Sequence, residues 1–175
     1  MNLVLLGLRG AGKSSVGPAL AETLLRPFVD LDIITARAAG LPSAGEALAT
    51  LGEARFREAE AGALRVVLAG DQHVVALGGG TPTYAPSARL LSDARVARRA
   101  RTIYLRARPD TLAVRLRDSD LAARPSLTGA GTLAEIDALF AVRDPLYLAL
   151  ADVVIDVDGL SQADVVARCA GAPHA

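Results

Sequence analysis

Short apolar runs alternate with amphipathic stretches along the chain. NLVLL (2–6), PFVDL (27–31), HVVAL (73–77), RTIYL (101–105) and DVVID (152–156) are brief and rich in branched side chains. Runs of this kind mark strands covered on both faces, as in a parallel sheet. Between them apolar residues recur at helical spacing, as at Val16, Leu20 and Leu24. They predict helices around residues 13–25, 33–40, 44–69, 86–93, 109–117, 133–149 and 161–170. The alternation predicts one doubly wound α/β domain over residues 1–175, with a five-stranded parallel sheet and helices on both faces. No repeat or linker interrupts it.

The least regular segment is RDSDLAARPSLTGAGT, residues 117–132, whose Gly, Ser, Asp and Pro content predicts a mobile loop or lid. Composition narrows the class further. At 175 residues and 51% hydrophobic, the chain can bury a good core, yet no apolar run is long enough to span a bilayer. The apolar start is short and runs straight into glycines, so no secretory segment is expected. Cys169 is the single cysteine, which leaves no disulfide framework or cysteine metal site within one chain and fits a reducing cytoplasm. A formal net charge of zero gives no general pull toward nucleic acid or anionic membrane. The basic run RVARRARTIYLRARP has an apolar strand at its centre and reads as solvated surface. His73 and His174 have no metal-ligating partners at useful spacing.

The run NLVLL leads into GLRGAGKSS, Gly7 to Ser15, and a helical pattern follows. This is Gly-x-x-x-x-Gly-Lys-Ser in the strand–loop–helix setting that a phosphate loop requires, and it outweighs a plain glycine-rich turn. It predicts a three-layer P-loop nucleoside triphosphatase fold. Gly7 and Gly12 permit the wrap, backbone N–H groups point inward, Lys13 reaches the β and γ phosphates, and Ser14 can ligate Mg²⁺. The helix start adds a favourable dipole. Lys13 is the only lysine beside 18 arginines. A compact ammonium fits among phosphate oxygens in a tight loop where the broad guanidinium fork does not.

Three further constellations carry chemistry. In FVDLD, Asp30 and Asp32 stand at the end of the second strand, in the crevice beside the phosphate loop. If the strand continues through Asp32, both carboxylates face the same way. One acid near Mg²⁺ and one taking the proton of an attacking hydroxyl suit phosphoryl transfer to an alcohol; the alternative is a polar strand end that caps the next helix. In GEARFREAE, Arg57 and Glu60 lie one helical turn apart, so Glu60 can hold a guanidinium that captures a carboxylate; a surface ion pair is the plain alternative. In VVALGGGT, Gly78, Gly79 and Gly80 leave backbone bare after a buried strand, for a small ligand or for a tight turn.

Taken in order, these segments resemble shikimate kinase over nearly the whole chain. RPSL at residues 124–127 is similar to that family's lid motif, and VRDPLY at 142–147 is similar to its Arg-x-x-Leu-Tyr segment. The resemblance implies ATP-dependent phosphorylation of the shikimate 3-hydroxyl, a step of aromatic amino acid (chorismate) biosynthesis, with Mg²⁺ as cofactor. It implies an ATP site built from Gly7, Arg9, Gly10, Ala11, Gly12, Lys13, Ser14, Ser15 and Arg124, and an acceptor region over about residues 31–62. Asp32 would contact the ring hydroxyls and assist deprotonation, while Asp30 would organise Mg²⁺ through water. Arg57 and Arg143 would bind the shikimate carboxylate, and the three glycines would line the acceptor site with amides toward it. Lys13 and lid Arg124 would neutralise the transferring group. Arg115 is the candidate for stacking on adenine, in competition with Arg117.

DVDGLSQAD, near the last strand, departs from the family pattern because it lacks a proline where many relatives pack on adenine. The segment after the glycines keeps Arg89 but lacks the asparagine often seen before it. Rival readings are another small-molecule kinase, acting on gluconate or a nucleoside monophosphate, and a non-catalytic nucleotide-binding paralogue. A guanine-specific switch would need an Asn-Lys-x-Asp segment, which a chain with one lysine and one asparagine, Asn2, does not contain. The expected partners are shikimate and ATP alone, without nucleic acid or membrane. The expected state is a monomer in the cytoplasm.

Overall fold

The computed structural model describes residues 1–117 and 136–172. Five strands, β1 (Asn2–Leu6), β2 (Phe28–Asp30), β3 (Val74–Ala76), β4 (Ala100–Arg106) and β5 (Val153–Asp156), form one sheet in the order β2-β3-β1-β4-β5. All four pairings are parallel. Seven helices connect and cover the strands among the described residues: α1 (Lys13–Thr23), α2 (Leu31–Ala38), α3 (Ala44–Ala69), α4 (Ala85–Val96), α5 (Pro109–Arg117), α6 (Ile136–Leu150) and α7 (Gln162–Ala170).

α1 and α7 pack against each other, while α4 and α6 pack on β4. β4 shows how its side chains alternate: Thr102 and Tyr104 reach across to Leu150 and Asp144 of α6. Ile103 and Leu105, pointing the other way, are fully buried. Val4, Leu5 and Leu6 of central β1 are likewise buried, as a strand with helices on both faces requires. No helix among the described residues is long and apolar enough to cross a membrane.

The expected elements are present, with two differences that matter for function. The second strand ends at Asp30, and Asp32 lies in the first turn of α2. The paired acids therefore do not share a strand face. Helix α3 has the expected limits but breaks at Gly52, whose φ of 74° and ψ of 162° are non-helical. Only glycine adopts such a conformation without strain, and the break starts a fresh helical segment just before Arg57. The expected lid over residues 117–132 lies outside the described residues apart from Arg117.

Because every strand runs the same way, the loops after β1, β2, β3 and β5 meet at one edge of the sheet. Chain order reverses around β1, and the carboxyl ends of strands at such a point form the binding crevice of open α/β sheets. A cavity of about 680 Å³ lies there.

Candidate active site

One wall of the cavity is the phosphate loop. Gly12, at φ 99°, turns the chain into α1, and no side chain caps that helix. The Ser15 amide turns back to Gly12 O at 3.1 Å, which leaves the Lys13 and Ser14 amides at the helix start for an anion, with the helix dipole behind them. Lys13 folds back over the loop, its Nζ donating to the carbonyls of Gly7 (2.7 Å) and Leu8 (3.0 Å). Burial lowers its pKa to about 8; Asp32 and Asp30 oppose that shift, while Arg9 and Arg143 add to it. Arg9, Gly10, Ala11, Ser14 and Ser15 line the cavity, and Ser15 Oγ donates to Gly12 O at 3.1 Å. Gly7 lies behind them as an acceptor for Lys13.

Facing this loop are the two aspartates. Asp30 caps α2, its Oδ1 accepting from the Asp32 amide at 3.0 Å. Capping and lining the cavity are thus not alternatives: the cap is what turns the chain so that Asp32 also enters the cavity. Burial, followed by the charges of Asp30 and Glu60, pushes the Asp32 pKa up to about 6, against the pull of Lys13 and Arg57.

Across from the aspartates, Arg57 Nη1 donates to Glu60 Oε2 at 2.9 Å. Glu60 is fully buried and also accepts from the Thr81 hydroxyl at 2.6 Å. The plain surface-pair reading fails here, because the Arg57 side chain is only 11% exposed. The glycine run explains how these groups fit together. A Cβ on Gly78 would stand 2.5 Å from Asp32 Oδ1 and 2.9 Å from Glu60 Oε1, and one on Gly80 would overlap the Arg57 guanidinium. Besides baring backbone to a ligand, the glycines let the site's own charged groups close in.

Arg143 reaches the same cavity from α6, its Nη1 donating to Gly79 O at 3.2 Å. Behind it, Asp144 accepts from Tyr104 Oη (2.8 Å) and from Arg106 Nε and Nη2 (2.8 and 2.9 Å). This anchors α6 to β4. Arg115 lines the far end of the cavity and is tethered by Nη2 to Val157 O at 3.0 Å, whereas Arg117 does not line it. The proline-free last loop still reaches the cavity, through Val157, Leu160 and Gln162, and Gln162 Nε2 donates to Ser15 O at 2.9 Å. Arg124 lies outside the described residues.

Thr81, Tyr147 and Gln162 were not singled out from the sequence. Thr81 follows the glycines directly, and Tyr147 and Gln162 belong to the quoted segments VRDPLY and DVDGLSQAD, so position gave a signal for all three, though none for the contacts they make.

A metal fits the donor set. The Ser14 hydroxyl and the carboxylates of Asp30 and Asp32 are hard oxygen donors on one cavity. No group of three or more His, Cys, Asp or Glu among the described residues could hold an ion alone. That combination suits Mg²⁺, which keeps waters and takes its remaining ligands from substrate phosphates.

The family model described as shikimate kinase matches residues 9–172. The chain is 43% identical to the shikimate kinase of Symbiobacterium thermophilum over 170 residues, covering 96% of this chain and 93% of that one. It is 38% identical to the shikimate kinase of Rhodopirellula baltica over 157 residues, covering 89% and 81%. Among solved structures, the shikimate kinase of Acinetobacter baumannii in complex with shikimate superposes with a TM-score of 0.83 at 31% identity, covering 95% of this chain and 89% of that one.

Proposed function

The chain belongs to the shikimate kinase family, and we propose that it transfers the γ-phosphoryl group of ATP to the 3-hydroxyl of shikimate, giving shikimate 3-phosphate and ADP. The observation that carries this reading is the placement of Asp32. Its carboxylate feels both Lys13 of the phosphate loop and Arg57 of the opposite wall, so it stands between a nucleotide site and an anion site.

Arg57, held by Glu60, and Arg143, held against Gly79, come from α3 and α6 and bind the acceptor carboxylate between them. This fixes the ring so that its 3-hydroxyl meets Asp32, which accepts the proton as the oxygen attacks. A pKa near 6 leaves Asp32 ionised at neutral pH yet more basic than an ordinary aspartate, as the role needs. Lys13 leaves the carbonyls of Gly7 and Leu8 for the β and γ phosphates and offsets charge on the transferring group. Arg124 serves the same end from the chain between α5 and α6. Arg115 lies along adenine.

Ser14 directly and Asp30 through water would hold Mg²⁺, which would supply charge neutralisation for the transferring phosphoryl group. We place the protein in the cytoplasm as a monomer, serving aromatic amino acid biosynthesis through chorismate. Identifying the product by phosphorus NMR after incubation with Mg²⁺-ATP and shikimate tests the proposal. A phosphate ester on the 3-oxygen is expected; an ester elsewhere, or inorganic phosphate alone, overturns it.

A further inference from the structure

We propose that Tyr147 is a positioning residue of the acceptor site: its hydroxyl clamps the carbonyl of Gly79 and thereby keeps the Gly79–Gly80 peptide in the orientation that offers the Gly80 N–H to the substrate. The inference rests on the acceptor reading above for its kinetic part only.

Residues 78–81 form a β-turn closed by the Thr81 amide on Gly78 O at 3.1 Å. Gly80, at φ −94° and ψ −13°, has the values of the third residue of a type I turn. The central peptide of such a turn joins the second and third residues, here Gly79 and Gly80. Rotating it by half a turn gives type II, which asks for a positive φ at the third position. Most sequences resist that rotation, but glycine accepts it freely. The run that lets Asp32, Glu60 and Arg57 close in therefore also makes the turn bistable.

The resting orientation is set by α6. Tyr147 Oη donates to Gly79 O, and Arg143, one helical turn earlier, donates to the same oxygen at 3.2 Å. In a planar trans peptide the carbonyl and the following N–H point in opposite directions. Holding Gly79 O toward α6 therefore turns the Gly80 N–H away from α6, on a turn whose three glycines all line the cavity. That N–H has no acceptor among the described residues. In the flipped turn a carbonyl oxygen would stand in its place, facing an acceptor that carries a carboxylate. Arg143 gives only Nη1 to that oxygen and keeps its other N–H groups for the carboxylate, so Tyr147 is the donor with no second task.

The clamp is itself rigid. Tyr147 is fully buried, and its ring meets Tyr104 edge-on at 5.1 Å and 66°. Tyr104 is bonded to Asp144, which Arg106 grips through two nitrogens. Burial pushes the Tyr147 pKa up to about 12, so its hydroxyl remains a donor wherever the enzyme works.

Tyr147→Phe removes the oxygen and keeps the ring. The expected result is a KM for shikimate about tenfold higher, the effect of one lost buried hydrogen bond, with the KM for ATP within about twofold of wild type. In protein labelled with ¹⁵N-glycine, the Gly80 amide of the variant should broaden or split, with no substrate needed. In the wild type, adding shikimate should move the Gly80 resonance, a readout that holds even if the variant folds poorly. An unchanged shikimate KM with a single sharp Gly80 signal overturns the proposal. So does an equal rise in both KM values with a lowered melting temperature, or a wild-type Gly80 signal that ignores saturating shikimate. Failure of wild-type turnover with shikimate would instead overturn the functional reading, while the substrate-free Gly80 spectra would still decide on the clamp.

Discussion

Arg57 and Glu60 form an ion pair inside the protein, Nη1 to Oε2 at 2.9 Å, with Glu60 fully buried and a second donor, Thr81, on its other oxygen. A buried pair gains little net stability over an apolar one, but removing one partner strands the other charge. Glu60→Ala should therefore destabilise the fold by about 3–5 kcal/mol. Glu60→Gln, which can still accept from either donor, should keep the fold and raise the shikimate KM severalfold as the guanidinium loosens. Thermal melts and acceptor kinetics of the two variants check this; a Glu60→Gln enzyme with wild-type KM would mean that Arg57 needs no holder.

Two glycines should respond in opposite ways. A Cβ on Gly78 meets Asp32 Oδ1 at 2.5 Å, so Gly78→Ala displaces the proton acceptor and should cost about a hundredfold in kcat. Gly62 lies within α3 with open space around its Cβ position. Gly62→Ala should add about 0.5–1 kcal/mol of stability and leave kinetics unchanged. Parallel kinetic and unfolding measurements on both variants are the check.

The single lysine makes a sharper demand. Its ammonium fits within reach of two loop carbonyls at 2.7 and 3.0 Å in a buried position. Lys13→Arg should lower kcat/KM by about a hundredfold or more, since a wide planar fork cannot take that place. Arg95→Lys, at a partly exposed pair with Asp152, should change it by less than about threefold. Equal, small losses in both would contradict the geometric account of Lys13.

The raised pKa of Asp32 links activity and stability with opposite signs. With a folded-state pKa of about 6, kcat/KM for shikimate should fall about tenfold per pH unit once the pH drops below that value. Stability runs the other way. Protonation is easier in the folded state than in the unfolded chain, so the group's favourable contribution is full below about pH 4 and is lost as pH rises through about 6. Asp32→Asn should thus abolish turnover yet stabilise the fold by on the order of 2 kcal/mol at pH 7.5, and the gain should vanish near pH 4. Denaturant titrations at the two pH values measure this.

Where local chemistry dictates local form, the sequence was readable. NLVLL followed by GLRGAGKSS yields strand, loop and helix because branched residues, glycines and an uncapped helix start permit little else there. Arg57 and Glu60 were visible as a pair, but not as a buried one, since burial depends on how α3 packs under the turn at Thr81. Asp32 was legible as a crevice residue, but whether the strand ran on through it or Asp30 capped the next helix was left open; Asp30 caps α2 and the helix carries Asp32 inward. The roles of Tyr147 and Gln162 arise from contacts between segments 68 and 147 residues apart, to Gly79 and to Ser15. No local pattern announces such contacts, and the break at Gly52 looks in the sequence like any glycine within a helical stretch.

The central claim is that two arginines and Asp32 select a carboxylate-bearing alcohol beside an ATP site. The most direct measurement is ADP release by the purified protein with Mg²⁺-ATP and, in turn, shikimate, gluconate, CMP or no acceptor, repeated with Asp32→Asn and Arg57→Ala. The account predicts turnover with shikimate alone and its loss in both variants. Faster turnover with another acceptor, or shikimate turnover that survives both substitutions, would contradict it.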